Sequence, residues 1–251
     1  MNKILIVGIA GMILLSGNQL KSQDTLKPIR KSWGTELNVN PFDGSLSYNN
    51  ADGQIKIRRY TGGNTVWRIS ATIDYKQDAN STILRYGTNP INNNEFKKSL
   101  LISIALGTEK HFNGTSRISP YLGWEVCYGH KSSEHEIDDE DYFTTVDGAW
   151  MNSQVQYNGQ TYYTTNTFNE KSYWSFGANI LTGFDFYMAK NFYFGYEISV
   201  GLDYIKYGII ETTRIPRLQS GNSSTLYPDS ESNSWKFGPK LGNGIRIGYV
   251  F

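Results

Sequence analysis

The chain holds one cysteine, seven prolines and three histidines in 251 residues, and its net charge is +1. One cysteine excludes an internal disulfide. Cys127 lies in an alternating segment and reads as a small packed residue rather than a nucleophile. A near-zero net charge excludes the basic excess of a nucleic-acid binder. His111 stands far along the chain from His130 and His135, so no histidine-based metal site is expected, and no cofactor. Long apolar runs are missing beyond the first fifteen residues, so no later segment suits a membrane helix.

The one apolar run is Ile4 to Leu15, behind the short positive start Met1-Asn2-Lys3 and ahead of the polar Ser16-Gly17-Asn18-Gln19. It is too short to span a bilayer as a helix and has the layout of a secretory signal peptide. Residues 1–22 are therefore expected to be a leader, cleaved after Ser22. No cysteine lies near that point to carry a lipid anchor.

Aromatic residues and glycine are abundant, with 18 Tyr, 12 Phe, 6 Trp and 25 Gly. Tyr and Trp suit the two interfacial girdles of a membrane barrel, and Gly suits close packing inside a small one. The final octapeptide shows how these residues are arranged. Ile245, Ile247, Tyr249 and Phe251 fall on one face of a strand, and Gly244, Arg246 and Gly248 on the other. Such alternation suits a barrel wall with lipid outside and a polar lumen inside.

The same period of two recurs in seven earlier segments. They are Trp33 to Phe42, Gln54 to Tyr60, Thr65 to Tyr75, Leu100 to Glu109, Pro120 to Gly129, Tyr173 to Tyr187 and Phe192 to Ile210. The eighth runs from Trp235 to Phe251. Connections alternate between short (61–64, 111–119, 189–191) and long (43–53, 76–99, 130–172, 211–234). A soluble sandwich has no reason to sort its loops by length onto two ends. An outer-membrane barrel has short periplasmic turns and long outside loops. The expectation is an all-β, eight-stranded antiparallel transmembrane barrel over 33–251, with 23–32 as a periplasmic N-terminal segment and both termini periplasmic.

Gly34-Thr35-Glu36-Leu37-Asn38-Val39-Asn40-Pro41-Phe42, followed by Ile55-Lys56-Ile57-Arg58-Arg59-Tyr60, resembles the small outer-membrane barrels of the OmpA-transmembrane and OmpX-like group, of a type common in Bacteroidota. The resemblance implies an address in the cell outer membrane of a Gram-negative bacterium. Lipid, lipopolysaccharide and the barrel-insertion machinery are then its surroundings. That group shares a fold and no single activity, so no active site comes with the resemblance.

The faces expected to point inward carry Lys56, Arg58, Arg68, Asp74, Glu109, Glu125, Asp185, Glu197, Asp203, Lys236, Lys240 and Arg246. An eight-stranded barrel is just wide enough for its side chains to fill it, and charges inside must pair. The list reads as an ion-pair network plugging the lumen, with a proton or ion path as the alternative. Glu134 to Asp141 reads as a solvated acidic loop, with a hard-cation site as the alternative. His130 and Ser132, two apart on a strand, match the His–Ser spacing of barrel lipid A hydrolases, with Glu134 or Glu125 as the acid. The rest of that pattern is missing. Trp150, Tyr157, Tyr162, Tyr163 and Phe168 suggest that the third long loop folds on itself or packs on another protein. The functional expectation is a non-enzymatic scaffold or accessory subunit of an outer-membrane complex. A narrow channel stands second and a lipid A-modifying hydrolase third.

Overall fold

The computed structural model describes residues 26–28, 31–39, 51–62, 64–84, 91–157, 162–217, 224–226, 232–241 and 245–251. The expected leader and Phe42 lie outside them. Among the described residues there are fourteen strands: β1 (Trp33–Val39), β2 (Ala51–Gly62), β3 (Thr65–Leu84), β4 (Ile91–His111), β5 (Ile118–Asp138), β6 (Tyr142–Asp147), β7 (Trp150–Tyr157), β8 (Tyr162–Asn169), β9 (Tyr173–Ala189), β10 (Phe192–Tyr207), β11 (Glu211–Pro216), β12 (Ser224–Leu226), β13 (Asn233–Leu241) and β14 (Ile245–Val250).

Eight of them form a closed antiparallel ring in the order β1-β2-β3-β4-β5-β9-β10-β14 and back to β1. At the seam Glu36 stands opposite Gly248 and Leu37 opposite Ile247. Trp33 and Phe251 extend it by exchanging backbone hydrogen bonds of 2.9 and 2.7 Å. Closure pairs the edges that an open sheet leaves bare. The turns at the end bearing the termini are tight. Asn64 (φ 69°) and Asn191 (φ 66°) take the left-handed conformation that Asn tolerates better than most residues.

The wall is inverted relative to a water-soluble domain. Its outer face exposes Ile57, Trp67, Ile69, Ile73, Ile102, Ile104, Leu122, Trp124, Val126, Ile180, Val200, Leu202 and Ile247, while Arg58, Glu109 and Asp185 are fully buried inside. Aromatic side chains link neighbouring strands at the upper margin of this apolar band. Tyr128 and Phe176 lie 5.1 Å apart, Trp174 and Tyr204 5.6 Å, and Tyr204 and Trp235 4.9 Å between ring centroids.

The structure corrects the expected long loops. β3 continues to Leu84 and β4 starts at Ile91, so most of 76–99 is a long hairpin. β5 runs on to Asp138, and 142–169 holds three further strands. Beyond Tyr75 the outward positions are Gln77, Ala79 and Ser81. Apolar alternation stops there while backbone pairing continues, and that is why periodicity ended the strand too early. β6 pairs with β5 and β11, β11 with β12, extending the β3-β4-β5 sheet past the ring. β7 and β8 pair only with each other among the described residues. Of the expected eighth strand, β13 and β14 are both laid along β10, and 242–244 between them lie outside the described residues.

Candidate functional site

The lumen is the most heavily built part of the molecule. Four cations, Lys56, Arg58, Arg68 and Arg246, meet five carboxylates, Glu36, Glu109, Glu125, Asp185 and Glu197. Arg58 grips Asp185 at 2.7 Å and Glu109 with its other terminal nitrogen. Arg68 reaches Glu109 at 2.9 Å, Glu125 at 3.1 Å and both oxygens of Glu197 at 2.7 and 2.9 Å. Arg246 bridges Glu36 and Asp185. Tyr193 donates to Glu36 and Tyr121 to Glu197, at 2.8 and 2.7 Å. Arg58 and Arg68 face each other in the register, and the shared Glu109 carboxylate offsets their repulsion.

Inward glycines make room for these groups. Along the register Gly107 sits between Arg68 and Glu125, and Gly123 between Glu109 and Leu181. Gly183 sits between Tyr121 and Glu197, Gly195 between Asp185 and Arg246, and Gly248 between Tyr193 and Glu36. A Cβ on Gly195 would lie 2.7 Å from an Arg246 nitrogen. Large and small residues thus alternate around the ring and let a narrow barrel fill itself.

Tyr60, Val66, Tyr187, Tyr193 and Val250 form an apolar floor at the end bearing the termini, and Leu26 packs against it. Above the floor Ser119 Oγ lies 2.8 Å from His111 Nδ1, and His111 Nε2 lies 3.2 Å from Glu109. The order Ser–His–Glu is that of a nucleophilic triad, but the setting is not. Glu109 is already held by Arg58 and Arg68, and Pro120, next to Ser119, has no N–H to offer an oxyanion. The chain ties β4 to β5.

Of the expected lumen residues, Arg58, Arg68, Glu109, Glu125, Asp185, Glu197 and Arg246 are in this network, as is Lys56. Asp74 is exposed, with Lys76 3.8 Å away. Asp203 lies farther up β10, opposite Gly177 and Lys236, and Lys236 is exposed. The Lys240 side chain lies outside the described residues. Glu36, only 2 % exposed, was missed, although the alternation of β1 places it inward between Thr35 and Leu37. On the closing strand Ile247, Tyr249 and Phe251 are exposed, Ile245 is half-buried and Arg246 is buried.

The outer sheet is the second built region. The acidic run is strand as far as Asp138, not a loop. Glu134 pairs with Lys98 at 2.7 Å, and Asp138 pairs with Arg217. His130 and Ser132 are both exposed on the outward face, and no hydrogen bond joins them among the described residues. Glu125 points the other way, into the lumen, and Glu134 is taken by Lys98, so neither carboxylate backs His130. At the foot of the β7–β8 hairpin Glu170 binds Lys131 and, at 3.2 Å, Lys76. These cations hold its carboxyl below the ordinary range, with Lys131 the larger influence. Met151 and Phe168 pack on a core of Val146, Ala149 and Ile210.

No protein-family profile matches the chain, and no curated protein or solved structure matches it significantly.

Proposed function

We propose that the chain is an outer-membrane barrel with a closed lumen whose outer sheet and β7–β8 hairpin serve as a contact platform for other components of that membrane. An apolar outer face around a charged interior is the arrangement a bilayer requires, because every backbone group in lipid must be paired internally. The fully buried Arg58–Asp185–Glu109 cluster carries the rest of the reading. It fills the bore with mutually paired charges, so the barrel supplies position rather than passage. The termini then lie on the periplasmic side with the tight turns, and the outer sheet faces the medium. Lipopolysaccharide and neighbouring outer-membrane proteins are the available partners. The role is non-enzymatic, a scaffold or accessory subunit.

Gentle extraction of the tagged protein from its native membrane tests this. A partner should be retained in stoichiometric amount, and lost when 152–167 is replaced by a short turn in a barrel that still folds. Recovery of a bare monomer under the gentlest conditions overturns it.

A further inference from the structure

His135 has no exposed surface, yet one of its ring nitrogens is committed as an acceptor. Nδ1 takes the backbone N–H of Met151 at 3.1 Å. A backbone N–H only donates, so Nδ1 carries a lone pair; the hydrogen-bond pattern therefore assigns a neutral ring with its proton on Nε2. Nε2 stands 2.9 Å from Glu95 Oε1 but off the bond axis, so that contact is electrostatic rather than well directed. Glu95 is itself paired with Lys97 at 2.7 Å.

Along the register His135 lies between Lys97 of β4 and Val146 of β6, and Asp78 of β3 lies beyond Lys97. Among the described residues the charged groups around it are therefore Glu95, Lys97 and Asp78. β6 and β7 present Thr144, Val146 and Met151, none of them charged. Burial holds the imidazole below the ordinary histidine value, against the opposing pull of Glu95.

What His135 holds is a hairpin with no third strand beside it among the described residues. A lone two-stranded hairpin is marginal in water. The β7–β8 pair is fixed along β7 by the Met151 N–H bond to His135 and by Trp150 Nε1–H donating to the Lys98 carbonyl at 3.0 Å, by the packing of Met151 and Phe168, and at its foot by Glu170, whose carboxylate holds Lys131 and Lys76 and whose carbonyl accepts from Ser133 Oγ.

We propose that His135 is an acid-released latch: when Nδ1 takes up a proton, the Met151 N–H loses its acceptor and the β7–β8 hairpin lifts from the outer sheet. The proton comes from hydronium or buffer acid in solvent and forms the Nδ1–H bond; no other covalent bond changes. Nε2–H keeps Glu95 as its neighbour, now as a full ion pair, so the ring stays in place while the hairpin leaves. The lifted state uncovers Val146, Ala149 and Ile210. The latch stands on contacts within the outer sheet and is independent of which partner the platform meets.

Peptide-level hydrogen exchange on the full chain in detergent micelles, at about pH 7.5 and at a pH about one unit below the measured midpoint of the His135 ring, corrected for intrinsic rates, tests it. Protection of 150–157 should fall by about tenfold per pH unit below the His135 titration point. Protection of 192–207 should stay unchanged. In His135→Asn the Oδ1 takes the position of Nδ1 and accepts the same N–H without titrating, so the hairpin should be equally protected at both pH values. A titration of the labelled His135 ring in the unmodified protein should share its midpoint with the loss of protection. Equal protection of the unmodified protein at both pH values overturns the latch. So does an acid loss in His135→Asn matching that of the unmodified protein, or a ring midpoint that does not coincide with release.

Discussion

Arg58 and Asp185 are 127 positions apart in the chain, yet their side chains meet at 2.7 Å and neither exposes any surface. They also join the two sides of the lumen network, since Arg58 holds Glu109 and Asp185 holds Arg246.

Asp185→Ala leaves two buried guanidinium groups short of a carboxylate. Breaking a buried pair from one side costs about 3–5 kcal/mol. The midpoint of urea unfolding in micelles should drop accordingly. Asp74→Ala, at an exposed site, should change stability by less than about 0.5 kcal/mol.

Gly248→Ala places a methyl group against the Tyr193 ring, 2.6 Å from Cε1. Overpacking of this kind costs about 1–3 kcal/mol. Because the clash is with one neighbour, the double variant with Tyr193→Ser should lose less than the sum of the single losses.

On the apolar outer face, Ile104→Arg should cost about 2–4 kcal/mol in a bilayer if that face meets lipid at mid-depth. Gln77→Arg, above the apolar band, should be neutral. Folding of Ile104→Arg into vesicles with unchanged stability would count against the membrane reading.

If the lumen is closed as proposed, no discrete current is expected when the refolded protein is reconstituted into a planar bilayer. Regular unitary steps would restore the channel reading, and their absence would remove it.

Glu170 titrates below its ordinary value of 4.5 because Lys131 and Lys76 stabilise the carboxylate. A depressed carboxyl contributes stability that is complete above the ordinary value and fades as pH falls through the lowered one. Hydrogen exchange at 170–173 should therefore rise below about pH 4.5, and Glu170→Gln should remove that dependence. Glu170→Gln leaves the His135 contact to Met151 in place, so the two effects are separable by variant.

The ring was legible because a wall that is apolar outside and polar inside writes its pattern plainly: Trp67, Ile69, Ala71 and Ile73 alternate with Arg68, Ser70 and Thr72. The inward glycines were legible as a composition, but their pairing with Tyr121, Tyr193 and Arg246 depends on register, which no single strand contains. Glu36 was within reach of the same alternation and was lost among its polar neighbours. The outer sheet left little trace, because β3 beyond Tyr75 carries Gln77, Ala79 and Ser81 where the earlier outward positions are apolar. Its backbone pairing is set by β4 across the hairpin. His135 stood among carboxylates in the sequence, and only folding shows it facing Met151.

The seam between β1 and β14 has a kinetic meaning. Arg246 finds Glu36 across 210 positions, so the network cannot be completed until nearly the whole chain is in place. Contacts of such long range slow the search for the native state, since loop closure must come before they contribute. Until that last pairing forms, Arg58, Arg68 and their carboxylates sit in an open, wettable trough. The final strand therefore acts as a commitment step: before it docks the barrel is an unsealed sheet, and afterwards its charges are locked away from water.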